Sequence, residues 1–143
     1  MLTGFPNMAA GALRVTSVNK VADRFRAVSA ELDKLPESLV KYVIPHASKG
    51  YNCRAIAGTT RPSAHGHGIA IDIALKRAHY WRNDKPGRDG TLAYRNEIPM
   101  DIVRIFEKHG FIWGGRWYHY DTMHFEYRPE LFDAACRAAP SAH

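Results

Sequence analysis

The side chains best suited to chemistry lie in a histidine-rich stretch, residues 63–72, and in a later Asp-x-x-His pair. The first supplies His65 and, seven residues on, Asp72; the second supplies Asp121 and His124. Two imidazoles and one carboxylate leave a fourth position open on a tetrahedral ion, and this is the protein part of a catalytic zinc site. The remaining carboxylate is then free to act as a base on water at the metal. We therefore expect a metal centre with its own base.

Alternating residues around Asp72 predict a strand, with Ile69, Ile71 and Ile73 on one face and Ala70, Asp72 and Ala74 on the other. Aspartate is disfavoured in strands, and a buried carboxylate needs a partner. A cation would be that partner, with a structural salt bridge as the alternative. His67 remains a competing ligand because a His-x-His pair also suits a metal.

The N-terminal part of the chain predicts a scaffold helix. Apolar residues recur in steps of three and four over residues 18–35, which is the stripe of an amphipathic helix. Ser17 or Asn19 can cap its start, and Pro36 stops it. A second apolar patch, residues 39–44, predicts another helical turn or a strand.

The second half of the chain predicts a helix, a strand and a last helix, over residues 99–108, 123–127 and 129–139. The strand would place His124 and Glu126 on one face. Residues 76–97 are polar and form a long connection, which favours a lid or an insertion.

Composition bounds the class of protein. The 143 residues fit one domain, which we divide into a lead-in segment, 1–16, and a domain, 17–143. The content of 45% hydrophobic and 24% charged residues is that of a globular protein, and no apolar run approaches the roughly 20 residues of a membrane span. A net charge of +6 is compatible with an anionic partner, either nucleic acid or cell wall, but the basic residues are scattered and favour a generally solvated basic surface. Cys53 and Cys136 lack C-x-x-C spacing and form either one disulfide or two buried thiols.

Two motifs carry a family resemblance: Ser63-x-His65-x-x-Gly68-x-Ala70-x-Asp72, and Asp121-x-x-His124. Together they resemble the zinc D,D-carboxypeptidase family, over roughly residues 51–131. That family includes D-alanyl-D-alanine carboxypeptidases, dipeptidases of the vancomycin-resistance type and the L-alanyl-D-glutamate endopeptidases of phage endolysins. The resemblance implies an α+β fold of the hedgehog and D,D-peptidase type, with a small antiparallel sheet flanked by helices. It also implies one zinc ion and hydrolysis of peptide bonds next to D-amino acids in peptidoglycan.

The resemblance also assigns roles to single residues. The zinc ligands would be His65, Asp72 and His124, and Asp121 would be the general base. An arginine upstream would polarise the scissile carbonyl, and Arg54 and Arg61 compete for that role. The substrate would contact Ser63, and Trp117 would form a wall of the cleft, although core packing is an equal alternative for Trp117.

We therefore expect a zinc peptidase that acts on peptidoglycan stem peptides, as an L-Ala-D-Glu endopeptidase or a D-Ala-D-Ala carboxypeptidase. The resemblance favours the endopeptidase, because the family's carboxypeptidases and dipeptidases often have glutamate at the position of Asp121, whereas aspartate is also seen among its endopeptidases. The alternatives are a non-catalytic, zinc-dependent wall-binding module and a metal-dependent nuclease, the latter weakened because magnesium prefers oxygen ligands. We expect a monomer without a nucleic-acid partner or transmembrane segment. The N-terminus lacks the features of a secretory signal. We expect action in the periplasm, in the wall or outside the cell, with release of a cytoplasmic protein by lysis as the alternative.

Overall fold

The computed structural model describes residues 13–43 and 50–134. In these two ranges the regular α-helices are α1 (Val21–Leu32), α2 (Glu37–Val40) and α3 (Met100–Lys108), and the strands are β1 (Ala70–Asp72), β2 (Phe111–Trp113) and β3 (His124–Tyr127). The strands form one antiparallel sheet in the order β1-β3-β2. The predicted α+β fold with a small antiparallel sheet is confirmed. None of the helices in the described ranges is long and apolar enough to cross a bilayer.

The central strand β3 sets the register of the sheet. Asp72 of β1 lies opposite His124, and Trp113 of β2 lies opposite Phe125 on the other edge of β3. Successive side chains of a strand point to opposite faces. His124 and Glu126 therefore share one face, as the sequence predicts, while Phe125 points into the core, where it is fully buried.

Helix α1 confirms the amphipathic stripe, but it begins later than predicted and ends at Leu32, before the predicted stop at Pro36. Val21, Phe25, Val28 and Leu32 are buried along one face. A 3-10 turn over Val18–Lys20 precedes the helix, and both of its last two residues adopt positive φ. The predicted caps are wrong: Ser17 makes no side-chain capping hydrogen bond, and Lys20 rather than Asn19 occupies the N-cap position of α1. The left-handed backbone, rather than a capping side chain, sets the start of the helix.

Helix α3 covers the sheet and begins and ends as predicted. Pro99 is its N-cap residue, and Gly110 (φ 87°) ends it in the left-handed region, where glycine meets no steric penalty. The buried ring of Phe106 stacks on Phe125 with centroids 4.1 Å apart. Burial of each such ring contributes about 1.5–3 kcal/mol. The helix thereby fixes the strand that carries His124.

Three further predictions have mixed outcomes. The patch at 39–44 is helical through Val40, within α2, and its last residue lies outside the described ranges. The prediction of a continuous helix from Pro129 is wrong. A 3-10 turn over Pro129–Phe132 ends there because the backbone of Asp133 is extended (φ −72°, ψ 129°). Residues 135–143 are not described. Cys53 is a free, exposed thiol, so the prediction that it is buried or paired is not confirmed; Cys136 lies outside the described ranges.

Candidate metal centre and active site

Three buried side chains bring one ligand atom each to a common point. Nε2 of His65 lies 3.1 Å from Oδ1 of Asp72, and Nδ1 of His124 lies 3.0 Å from the same oxygen. The two ring nitrogens are 3.2 Å apart. Their ligand atoms all lie within 4.8 Å of one another, close enough to hold one metal ion. Within the described ranges, no other group of three or more His, Cys, Asp or Glu side chains does so.

Two local structures position the three ligands. Asp72 and His124 are a cross-strand pair of β1 and β3. His65 lies in a 3-10 turn, Ala64–His67. Ser63 caps the start of this turn, because its Oγ accepts a hydrogen bond from the N–H of His65 at 3.3 Å. Gly68 closes the turn at φ 67°, and a Cβ there would lie only 2.8 Å from a backbone nitrogen of the N-terminal segment.

The hydrogen bonds on the far side of each imidazole determine which nitrogen carries the proton. Nδ1 of His65 lies 2.9 Å from the carbonyl oxygen of Gly50, which can only accept, so Nδ1–H is the donor. Nε2 of His124 lies 3.0 Å from Oε2 of Glu126 and donates in the same way. In the neutral rings, the remaining nitrogens therefore direct their lone pairs at each other and at Asp72. Such a cluster requires a cation or a proton between its members.

The donor set fits zinc. A tetrahedral ion with bonds of about 2.0–2.1 Å places its ligands about 3.3 Å apart, close to the three separations seen here. Without a metal, protons fill the role. Burial lowers the pKa of His124, but hydrogen bonds to Asp72 and Glu126 outweigh it and raise the pKa to about 9. Burial raises the pKa of Asp72, but hydrogen bonds from His124 and His65 bring it well below its usual range.

Asp121 lies beside this cluster with one oxygen unpaired. Its Oδ1 is buried and has no hydrogen-bond partner among the described residues. Burial, helped by the negative charge of Asp72 and opposed by His124, raises the pKa of Asp121 to about 6. Its backbone N–H donates to the carbonyl of Gly114 at 3.0 Å, and its carbonyl accepts from the N–H of His124 at 3.2 Å. Asp121, the predicted base, is thus tied through the backbone to His124, a candidate metal ligand.

A cavity of about 280 Å³ opens over the cluster, and Asp72, Asp121 and His124 line it. Of the other predicted residues, Arg54, Ser63 and Trp117 line it as well. The ring of Trp117 lies 5.5 Å from the ring of His124, centroid to centroid. The exposed Arg61 is not among the lining residues, nor is the competing ligand His67, which is exposed and lines a separate cavity.

The sequence did not identify three contributors to this site. Tyr80 lines the cavity and forms an isolated antiparallel bridge with Asp121. Met123 also lines it, and the carbonyl of Gly50 holds His65. The aromatic content of residues 76–97 was a signal for Tyr80. No sequence pattern indicates which carbonyl meets an imidazole fifteen residues away.

Comparison with known proteins agrees with the site. Residues 57–127 match the profile of the D-alanyl-D-alanine carboxypeptidase family. The matched range contains the three candidate ligands, Asp121 and Trp117, and it ends with the last residue of β3. It leaves out Arg54, so the match does not bear on the choice of arginine. A search of curated proteins found no match. The predicted resemblance is confirmed: residues 57–127 match the model of the D-alanyl-D-alanine carboxypeptidase family.

Proposed function

We propose that the protein is a zinc peptidase that cuts a peptide bond in peptidoglycan stem peptides. The convergence of three ligand atoms beside the unpaired Oδ1 of Asp121 carries this proposal. Of the two candidate bonds, we favour L-Ala–D-Glu, because the cavity is bordered at Trp117 by a much larger open cavity rather than by a closed wall. The description of the matching family favours the second candidate, removal of a terminal D-alanine.

His65, Asp72 and His124 would hold the ion, and their partners would orient them. The Gly50 carbonyl and the Glu126 carboxylate fix the tautomers of the two rings, which makes the free nitrogens better donors. A bound zinc ion supplies a Lewis acid that activates water and polarises a carbonyl. Two histidines suit zinc better than magnesium, and this weighs against the nuclease alternative.

Asp121 would move the proton. Its Oδ1 takes a proton from the attacking water as the C–O bond forms, and gives it to the nitrogen of the leaving amine as the C–N bond breaks. A carboxylate whose pKa is raised by burial accepts a proton more readily than an exposed one. A cation nearby would lower this pKa and keep the carboxylate ionised before the reaction.

Arg54, Ser63 and Trp117 would position the substrate. The exposed Arg54 has a guanidinium group that pairs with no carboxylate in the described part of the chain, so it can donate to the scissile carbonyl oxygen. Ser63 already accepts from the N–H of His65, which leaves its hydroxyl proton for a substrate acceptor. Trp117 supplies an apolar wall.

Mass spectrometry of purified muropeptides after incubation with zinc-loaded protein tests the proposal. A cut between L-alanine and D-glutamate identifies the endopeptidase, and loss of a terminal D-alanine identifies the carboxypeptidase. Either product should be absent with metal-depleted protein and with Asp121→Ala. Folded, zinc-loaded protein that leaves both substrates intact contradicts the proposal, and binding to intact wall without cleavage would favour a wall-binding module.

A further inference from the structure

A second, larger cavity adjoins the catalytic one. It measures about 1000 Å³, and Trp117 lines both cavities. We call it the aromatic groove after the residues that characterise it: Trp81, Tyr94, Trp117, Tyr118, His119 and Tyr120. The catalytic cavity, at about 280 Å³, accommodates only the residues around a scissile bond. A substrate that continues past Trp117 enters the aromatic groove.

The groove exposes aromatic surface that the core does not use. Tyr118 is 93% exposed, Tyr94 is 55% exposed and Trp117 is 37% exposed. Exposed aromatic side chains grouped in a concave surface mark a binding site more often than a packing accident. Each presents an apolar ring with a polar edge.

The walls of the groove are held in place before any ligand binds. The N–H of Trp81 donates to the carbonyl of Tyr120 at 3.0 Å. The hydroxyl of Tyr120 donates to Oδ2 of Asp84 at 2.6 Å, and it also lies 3.1 Å from the carbonyl of Ala93. These contacts fasten the connection over residues 76–97 to the segment that carries Asp121. The connection forms a wall, so a ligand need not order it first.

Hydrogen-bonding groups border the aromatic surface. Asp84 and Thr91 line the groove together with Arg82, whose guanidinium lies 5.1 Å above the ring of Trp81. Within the described ranges, Arg82 has no carboxylate partner. The groove thus combines flat apolar rings with donors and acceptors at its edge.

Resting on the proposed function, we propose that the aromatic groove binds the amino-sugar end of a glycan-linked stem peptide. A pyranose ring has an apolar C–H face that packs on an aromatic ring, and hydroxyl and acetamido groups that bond to a polar rim. Alanine and glutamate, the residues around the scissile bond, carry no large flat surface of this kind. Because the two cavities share Trp117, the groove lies within reach of one end of a substrate in the smaller cavity, and we assign that end to the sugar. The enzyme would then prefer peptides still attached to glycan over free peptides.

The test compares two substrates with the same stem peptide, one bearing the N-acetylglucosaminyl-N-acetylmuramyl disaccharide and one without it. We expect the wild type to have a higher kcat/KM on the glycan-linked substrate, chiefly through KM. Tyr118→Ala and Tyr94→Ala should each reduce the ratio of the two kcat/KM values by roughly three- to tenfold. Tyr51→Ala, an exposed aromatic outside both cavities, should leave the ratio unchanged.

A binding measurement that needs no catalysis separates the two proposals. The disaccharide alone should quench tryptophan fluorescence of the metal-free protein, and Tyr118→Ala should weaken the binding. If the peptide is cut but the ratio is near one and the disaccharide does not bind, the groove proposal is wrong and the peptidase stands. If the disaccharide binds in this way but neither substrate is cut, the groove proposal stands and the peptidase proposal fails. Displacement of the disaccharide by free stem peptide would also contradict the groove proposal.

Discussion

Asp72 and His124 are 52 residues apart in sequence but lie directly opposite each other on β1 and β3, with Nδ1 3.0 Å from Oδ1. This register places two of the three candidate ligands on the sheet, whereas His65 comes from a 3-10 turn. A shift of β1 by one residue along β3 would turn Asp72 to the other face of the sheet, away from His124. The sheet therefore determines whether the site exists.

Replacement of a metal ligand should lower the metal affinity more than replacement of a residue that only orients a ligand. Replacement of an outer partner typically costs 10–100-fold in metal affinity. We expect Glu126→Gln to fall in this range, since it weakens the bond that holds the His124 ring. Asp72→Asn should lose at least about 100-fold, because it removes the anionic ligand. Chelator competition measures both affinities.

Asp101→Asn is the matched control for Asp72→Asn. The exposed Asp101 pairs with Arg104 on α3, away from the centre, so Asp101→Asn should bind zinc as the wild type does. Equal affinities for Asp72→Asn and Asp101→Asn would contradict the assigned ligand set.

Metal binding should release a proton from His124. With its pKa raised to about 9 in the metal-free protein, this ring holds an extra proton at neutral pH that the metal must displace. Zinc affinity should therefore rise with pH up to about 9. The same proton stabilises the metal-free fold below the unfolded pKa of about 6.5, and that stability is lost as the pH rises through about 9.

Calorimetry in two buffers of different ionisation enthalpy counts the released protons. Glu126→Gln removes one of the hydrogen bonds that raise the pKa of His124, so it should release fewer protons at neutral pH. Zinc binding without proton release between pH 7 and 8 would show that His124 is neutral before the metal arrives.

Gly114 should tolerate no side chain. A Cβ there would lie 2.5 Å from the carbonyl oxygen of Asp121 and 3.3 Å from its Cβ, so Gly114→Ala must push Asp121 aside. We expect a cost of about 1–3 kcal/mol in folding free energy, as for other overpacked sites, together with a lower kcat. At Gly66 the nearest atoms to an added Cβ lie 3.7 Å away, so Gly66→Ala should unfold at nearly the wild-type temperature. Thermal unfolding of the two variants in parallel decides the matter, and equal melting temperatures would contradict the packing argument.

Thr122 should contribute to stability through one hydroxyl. This fully buried residue accepts from the N–H of His79 at 2.7 Å and donates to the carbonyl of the same residue at 3.2 Å. Thr122→Val would leave the N–H without its partner, at a cost of about 1–3 kcal/mol. The exposed Thr91→Val should change stability by less than about 0.5 kcal/mol. Urea unfolding measures the stability of both variants. A Thr122→Val variant as stable as Thr91→Val would contradict the claim that the Thr122 hydroxyl stabilises the fold.

The sequence pattern predicted where most helices and strands lie, but it did not predict where some of them begin and end. The stripes of α1 and α3 depend on burial of one face of each helix, which sequence periodicity reports directly. The starting point of α1 does not, because it depends on positive φ at Asn19 and Lys20, residues with no preference strong enough to reveal it. The end of the turn at Phe132 likewise depends on the extended backbone of Asp133.

The sequence likewise identified some residues of the candidate site but could not decide between others. His65, Asp72 and His124 could be selected because only certain residue types bind a metal at such spacing, and the structure brings them together. The choice between Arg54 and Arg61 could not be made, since both lie in a loop without periodicity. The register that pairs Ala55 with Pro62 leaves Arg54 in the cavity lining and Arg61 outside it.

The role of Asp121 is the central claim, and a single substitution tests it most directly. Asp121→Asn keeps the shape of the side chain and removes the site of proton transfer, whereas zinc remains held by His65, Asp72 and His124. We predict that kcat on the cleaved muropeptide falls about 10²–10⁴-fold, with one zinc per chain and an unchanged melting temperature. A zinc-loaded Asp121→Asn variant that retains kcat within a few-fold of the wild type would contradict the account.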